Sequence, residues 1–246
     1  MEMAKGIYLL FAAVTYAVFF ATFLYLVGFV GNLPLLPRTV DIGPDGSLAA
    51  AVVVDLLLIA LFGLQHSVMA RQGFKRVWTR IVPPPVERSA YVLAASAALI
   101  VLFAFWRPIG GSVWLATNVV PVTLLWALFA LGWVTVLFST FLINHFELFG
   151  LQQAYHHARG RSSAAPILRQ PLLYRFVRHP LYAGFFIALW ATPAMSAGHL
   201  LLALGMSTYI LIAIRYEERD LVQLFGADYE DYRTRVGMLT PRMRSR

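Results

Sequence analysis

Residues 181–214 run for 34 positions without a single Asp, Glu, Lys or Arg. One straight helix of that length would reach roughly 51 Å at 1.5 Å per residue. The hydrocarbon core of a bilayer is only about 30 Å thick. The stretch is therefore expected to break, and Pro193 with Ser196-Ala197-Gly198-His199 supplies the place. The economical solution is a hairpin of two apolar helices, the first of them short.

Four more apolar runs precede it, at 6–37, 48–70, 89–106 and 119–143, with Asp55 the one acid inside them. Each has the length of a membrane-spanning helix. The chain is 59% hydrophobic and 13% charged, against about 45–50% and about 25% in soluble domains. No larger soluble core accounts for that excess. The first run is too long for a removable signal peptide, and no small-residue cleavage pattern follows it. The expected fold is an all-α, polytopic membrane helix bundle of about six transmembrane segments, including the C-terminal hairpin, with a cytoplasmic cofactor-binding tail. The whole chain, 1–246, reads as one membrane domain, with four spans in 1–143 and the loop, hairpin and tail in 144–246.

The basic residues set the orientation. Arg71, Lys75, Arg76, Arg80 and Arg88 fall in one loop, and Arg159, Arg161, Arg169, Arg175 and Arg178 in another. The positive-inside bias puts both loops and the N-terminus on the cytoplasmic side of a cell inner membrane. By parity the charged tail from Arg215 joins them. The net charge of +8 is explained by this topology, and no nucleic-acid partner is expected. The chain has no cysteine, which excludes disulfides, thiolate metal sites and cysteine nucleophiles. His156 and His157 are adjacent and point to different helix faces, HExxH spacing is absent, and no metal is expected. Dinucleotide and phosphate-binding glycine motifs and internal repeats are also lacking. Oligomeric state follows from no feature of the sequence.

Four polar clusters interrupt this apolar background. Arg178, His179, Pro180, Tyr182 and Gly184 open the hairpin. Pro180 suits a first helical turn, whose free N–H groups favour an anionic ligand, and Gly184 lets something bulky approach the backbone. The same residues equally serve as an interfacial anchor. Arg215 to Asp220 follow the hairpin, with Glu217 and Glu218 adjacent and Tyr229 and Tyr232 one turn apart beyond them. Adjacent carboxylates repel unless solvated or assigned to a cation, and Arg215 and Arg219 are spaced to flank Glu218. The alternative is a solvated juxtamembrane helix whose tyrosines dock the tail. Gln65, His66, Ser67 and Arg71 close the second span, with His66 at its mouth, either as a general base or as a capping histidine. Asn144, His145, Phe146 and Glu147 follow the fourth span.

RHPLYAG (178–184) paired with YEERDLVQLFGADYEDY (216–232) across an apolar hairpin resembles the isoprenylcysteine carboxyl methyltransferase and phospholipid methyltransferase superfamily. LFGLQHSVMAR (61–71) and NHFELFGLQQ (144–153) look like its methanethiol S-methyltransferase branch. The resemblance implies S-adenosylmethionine held at the cytoplasmic face by Arg178, His179, Tyr182, Gly184, Glu217, Glu218, Tyr229 and Tyr232. It also implies methyl transfer to a small volatile thiol, methanethiol, giving dimethyl sulfide. The thiol must lose its proton, since the thiolate is the nucleophile. His66, then His145, are the candidates to take it, with Arg71 as electrostatic support. A small apolar thiol also suits a protein embedded in the lipid bilayer. Two rivals stand: a lipid, isoprenylcysteine or other lipophilic acceptor at the same donor site, and a transporter with His66, Asp55 and Glu217 along its path.

Overall fold

The computed structural model describes residues 2–161 and 167–242. Ten α-helices and one short two-stranded sheet are present among them. The helices are α1 (Glu2–Val30), α2 (Leu48–Ala70), α3 (Gln72–Trp78), α4 (Pro84–Phe105), α5 (Val119–Ile143), α6 (His145–Leu148), α7 (Leu151–Ala158), α8 (Pro180–Trp190), α9 (Ala197–Phe225) and α10 (Ala227–Arg235). The strands are β1 (Ser112–Leu115) and β2 (Ala194–Ser196).

Five helices, α1, α2, α4, α5 and α9, are long and apolar enough to cross a membrane. Their outer faces carry Leu10, Leu24, Leu57, Leu64, Leu124, Leu131 and Val134, all well exposed. In water such a surface would drive association; in lipid tails it is the matching solvent. The chain is thus an integral membrane protein with an all-α polytopic bundle. The break in the long apolar run falls where expected: α8 ends at Trp190 and α9 begins at Ala197. Two boundaries differ from expectation. The second span does not stop near His66 but continues through Ser67-Val68-Met69-Ala70, so His66 lies a turn inside α2. The charged stretch from Arg215 is no separate tail but the continuation of α9, which is unbroken to Phe225.

Contacts divide the chain into two units. The first holds α1, α2, α3, α4, α6 and α7 with Ser196–Leu202. Asp55, fully buried in α2, accepts the Arg107 backbone N–H on Oδ1 at 2.9 Å, just past the end of α4. Trp106 Nε1 donates to Val40 O at 3.1 Å and Ser196 Oγ to Asp41 Oδ1 at 2.5 Å. A polar seam thereby ties together the loops at one end of this unit. At the other end Gly150, with φ 88°, passes so close to Ser89 that a Cβ would lie 2.5 Å from its Oγ. Arg88 Nε donates to Leu148 O at 2.9 Å beside it.

The second unit holds α5, α8, α10 and the remainder of α9. Its centre is a glycine crossing. A Cβ on Gly184 of α8 would lie 2.7 Å from Gly132 O and 2.8 Å from Val136 N of α5. Trp133 and Phe185 pack edge to face alongside. Helices α8 and α9 run antiparallel, joined at one end by Trp190 Nε1 to Ser207 Oγ at 3.0 Å and at the other by Tyr182 to Glu217.

Candidate active site

The start of α8 and the middle of α9 bring the basic motif and the acidic pair together. Pro180 opens α8, as its fixed φ favours. Helical spacing then puts Tyr182 on the face turned to α9, and Tyr182 Oη donates to Glu217 Oε2 at 2.8 Å. Glu218, one residue on, points elsewhere. Its Oε1 takes Arg178 Nε at 2.8 Å and His179 Nε2 at 3.1 Å, and its Oε2 faces Arg233 Nε at 3.4 Å. Glu218 is 8% exposed and His179 5%. A buried carboxylate this crowded by cations is held with its charge matched and its oxygens oriented. The adjacent carboxylates thus avoid mutual repulsion by facing different partners.

Two expectations are corrected here. Arg215 and Arg219 do not flank the Glu218 carboxylate: its partners come from the start of α8 and from α10, while Arg219 lies over the Tyr216 ring. Helical spacing allowed a local pair, but the tertiary partners reach the buried side of the carboxylate first. Arg178 and His179 do not stand as open donors at the helix start either. Both are engaged with Glu218, and Arg178 Nη1 also donates to Val236 O and, at 3.2 Å, to Arg233 O.

Tyr229 and Tyr232 are each 2% exposed and form a small core with Val236, against which Leu168, Leu221, Val222 and Phe225 pack. Tyr232 Oη donates to Tyr174 O at 2.5 Å, and burial raises its pKa to about 12. Tyr229 Oη is buried and has no hydrogen-bond partner among the described residues. Burial first, and then the charges of Glu218 and Glu217, push its pKa up, so it remains a neutral donor. A buried hydroxyl beside two carboxylates calls for a polar partner.

A groove of about 480 Å³ adjoins this cluster, lined by Arg215, Glu218, Arg219, Val222, Gln223 and Arg233. Small-molecule sites span about 300–1,000 Å³. This lining offers S-adenosylmethionine one carboxylate, Glu218, for a sulfonium, amine or ribose, arginines for a carboxylate, and Val222 for an apolar ring. Gly184 packs against the α5 backbone. Among the described residues, no group of three or more His, Asp or Glu is arranged to hold a metal ion.

His66, His145 and Arg71 belong to the first unit. The His66 ring stacks on Phe62 and tilts against Tyr91, whose hydroxyl donates weakly to His66 O at 3.4 Å. Arg71 ends α2, its Nε donating to Ser67 O at 3.2 Å. His145 is 2% exposed in a cage of Tyr16, Phe146 and Phe149, with Tyr16 Oη 2.8 Å from Nε2. Burial lowers its pKa, which keeps the imidazole neutral near pH 7. Sequence reasoning missed Tyr16 and Arg233; for Arg233, a cation one turn beyond Tyr229 was the available signal.

Over 239 residues the chain is 52% identical to the methanethiol S-methyltransferase of Mycobacterium tuberculosis, covering 97% of this chain and 98% of that protein. It is 52% identical over 242 residues to methanethiol S-methyltransferase 1 of Bradyrhizobium diazoefficiens, covering 98% of this chain and 84% of that one. Nurim of Danio rerio is more distant, at 30% identity over 207 residues, 76% of this chain and 74% of its own. No family model matches the chain. No solved structure matches it either.

Proposed function

Because the chain belongs to the methanethiol S-methyltransferase family, we propose that it transfers a methyl group from S-adenosylmethionine to methanethiol, yielding dimethyl sulfide and S-adenosylhomocysteine. The observation that carries this reading is the buried Glu218 carboxylate gripped by Arg178, His179 and Arg233, with Glu217 held by Tyr182 beside it. When bound, the cofactor supplies a sulfonium methyl that needs only an in-line nucleophile and exclusion of water.

Glu217, Glu218 and Tyr229 hold the polar parts of the cofactor. Arg178, His179 and Tyr182 orient those carboxylates, and Tyr232 and Gly184 fix the helices that carry them. On the acceptor side, His66 and His145 are assigned the thiol proton, and Arg71 the electrostatic support of the thiolate. The neutral, buried imidazole of His145 suits a base. The S–H bond loses its proton, the sulfonium S–CH3 bond breaks, and the new S–CH3 bond forms on the thiol sulfur.

The donor residues all lie within 178–233, so the segment 144–246 carries the whole methyl-donor site of a single membrane domain. Helix α8 has 11 residues and reaches roughly 16 Å, about half the ~30 Å hydrocarbon core. With α9 antiparallel to it, α8 forms the short arm of a C-terminal hairpin and brings the segments to six. The basic loops 71–88 and 144–180 support a cytoplasmic donor site and cytoplasmic termini in a cell inner membrane.

The test is an acceptor panel with methyl-labelled S-adenosylmethionine and detergent-purified protein: methanethiol, a larger alkyl thiol, a prenylated cysteine and a phospholipid. Label in dimethyl sulfide is expected. Label only in prenylcysteine or lipid would reassign the acceptor, and no transfer with no cofactor binding would overturn the reading.

A further inference from the structure

The chain beyond α10 folds back onto the basic motif. Arg178 N donates to Gly237 O at 2.8 Å and His179 N to Met238 O at 3.1 Å. Val177 and Gly237 form a parallel bridge. Arg178 Nη1 adds bonds to Arg233 O and Val236 O. Four main-chain carbonyls of residues 233–238 therefore converge on Arg178 and His179, the two groups that hold Glu218 Oε1. A guanidinium presents its donors in a rigid plane. Fixing Nη1 on the tail carbonyls consequently fixes where Nε points, and with it the carboxylate.

The tail can make this approach only through a tight turn. A Cβ on Gly237 would lie 2.0 Å from Thr240 O and 3.1 Å from Arg242 N. Both are backbone atoms, so no side-chain rotation relieves the clash. Tyr229, Tyr232 and Val236 anchor the segment just before the turn by burial.

We infer that residues 236–240 act as a strap that orients the methyl-donor site, with Gly237 a positioning residue for cofactor binding. The strap sets the Arg178–Glu218 geometry through backbone carbonyls. This inference rests on the donor-site reading above.

The experiment compares Gly237→Ala with the natural protein in kinetics and in direct S-adenosylhomocysteine binding. Losing the orientation of a charged hydrogen-bond pair should raise the KM for S-adenosylmethionine and weaken S-adenosylhomocysteine binding by about tenfold. The KM for methanethiol should stay within about twofold. A purely structural role would lower the amount of active protein without separating the two KM values. A chain ending at Met238 lacks the Thr240 carbonyl, and in that background Gly and Ala at 237 should behave alike. This second comparison also decides the matter if Gly237→Ala alone does not fold. Arg235→Ala, which removes an exposed ion pair with Asp231, should match the natural protein. Unchanged cofactor affinity in Gly237→Ala, or a persistent Gly-to-Ala difference in the shortened chain, would overturn the strap. Glu218→Gln separates the two ideas: if it binds S-adenosylhomocysteine normally, the donor-site reading itself fails, whereas loss there with a normal Gly237→Ala defeats only the strap.

Discussion

Tyr182 Oη donates a hydrogen bond to Glu217 Oε2 across the α8–α9 pair at 2.8 Å. The contact joins the two motifs that the apolar hairpin separates by 35 positions in sequence. Removing the hydroxyl leaves the carboxylate in place but free to rotate. Tyr182→Phe should therefore weaken cofactor binding by about 1–2 kcal/mol, typical of a hydrogen bond to a charged group. Calorimetric titration with S-adenosylhomocysteine reads this directly; an unchanged Kd would remove Tyr182 from the site.

Glu218 carries a stronger expectation. Glu218→Ala leaves Arg178 and His179 buried without their anion, which costs about 3 kcal/mol in comparable buried pairs. Glu218→Gln keeps the volume and some hydrogen bonding. The Ala variant should lose both thermal stability and cofactor binding, and the Gln variant mainly binding. Paired unfolding and binding measurements distinguish the two losses.

The glycine crossing is a packing feature and should behave as one. Gly184→Leu drives a side chain into Gly132 O and Val136 N of α5, and overpacking of this kind costs about 1–3 kcal/mol. A lowered unfolding midpoint is expected even without cofactor. A variant of natural stability that fails only to bind would return Gly184 to the ligand.

Burial lowers the pKa of His145 below the ordinary histidine value of about 6.5. The unfolded chain then takes up the proton more readily than the folded one. The stability associated with neutral His145 is complete above about pH 6.5 and is lost as pH falls below it through the folded value. His145→Asn should flatten that part of the stability–pH curve. An unaltered curve would show that other groups control it.

Much of the fold is legible in the sequence because lipid imposes a simple rule. Apolar runs 48–70 and 119–143 coincide with α2 and α5. Pro193 and its neighbours break the last run where the structure breaks it. The family resemblance put the two motifs at one site, but the pairing of Arg178 and His179 with Glu218 was not legible in the sequence, since no periodicity links residues 40 apart. The strap was invisible for a different reason: its working groups are backbone carbonyls, which every residue carries. The partner of Asp55 was hidden likewise, being a backbone N–H. The polar Gln65-His66-Ser67 reads in sequence as a helix exit, whereas the residues beyond it sustain another turn of α2.

In the proposed reaction S-adenosylmethionine held at the Glu217–Glu218 cluster methylates methanethiol. The most direct measurement is a single turnover: protein loaded with methyl-labelled S-adenosylmethionine, mixed with methanethiol, with labelled dimethyl sulfide collected from the headspace. One labelled product per bound cofactor in the natural protein, and none in Glu218→Gln, is the predicted result. Bound label that never reaches dimethyl sulfide, or full transfer by Glu218→Gln, would contradict it.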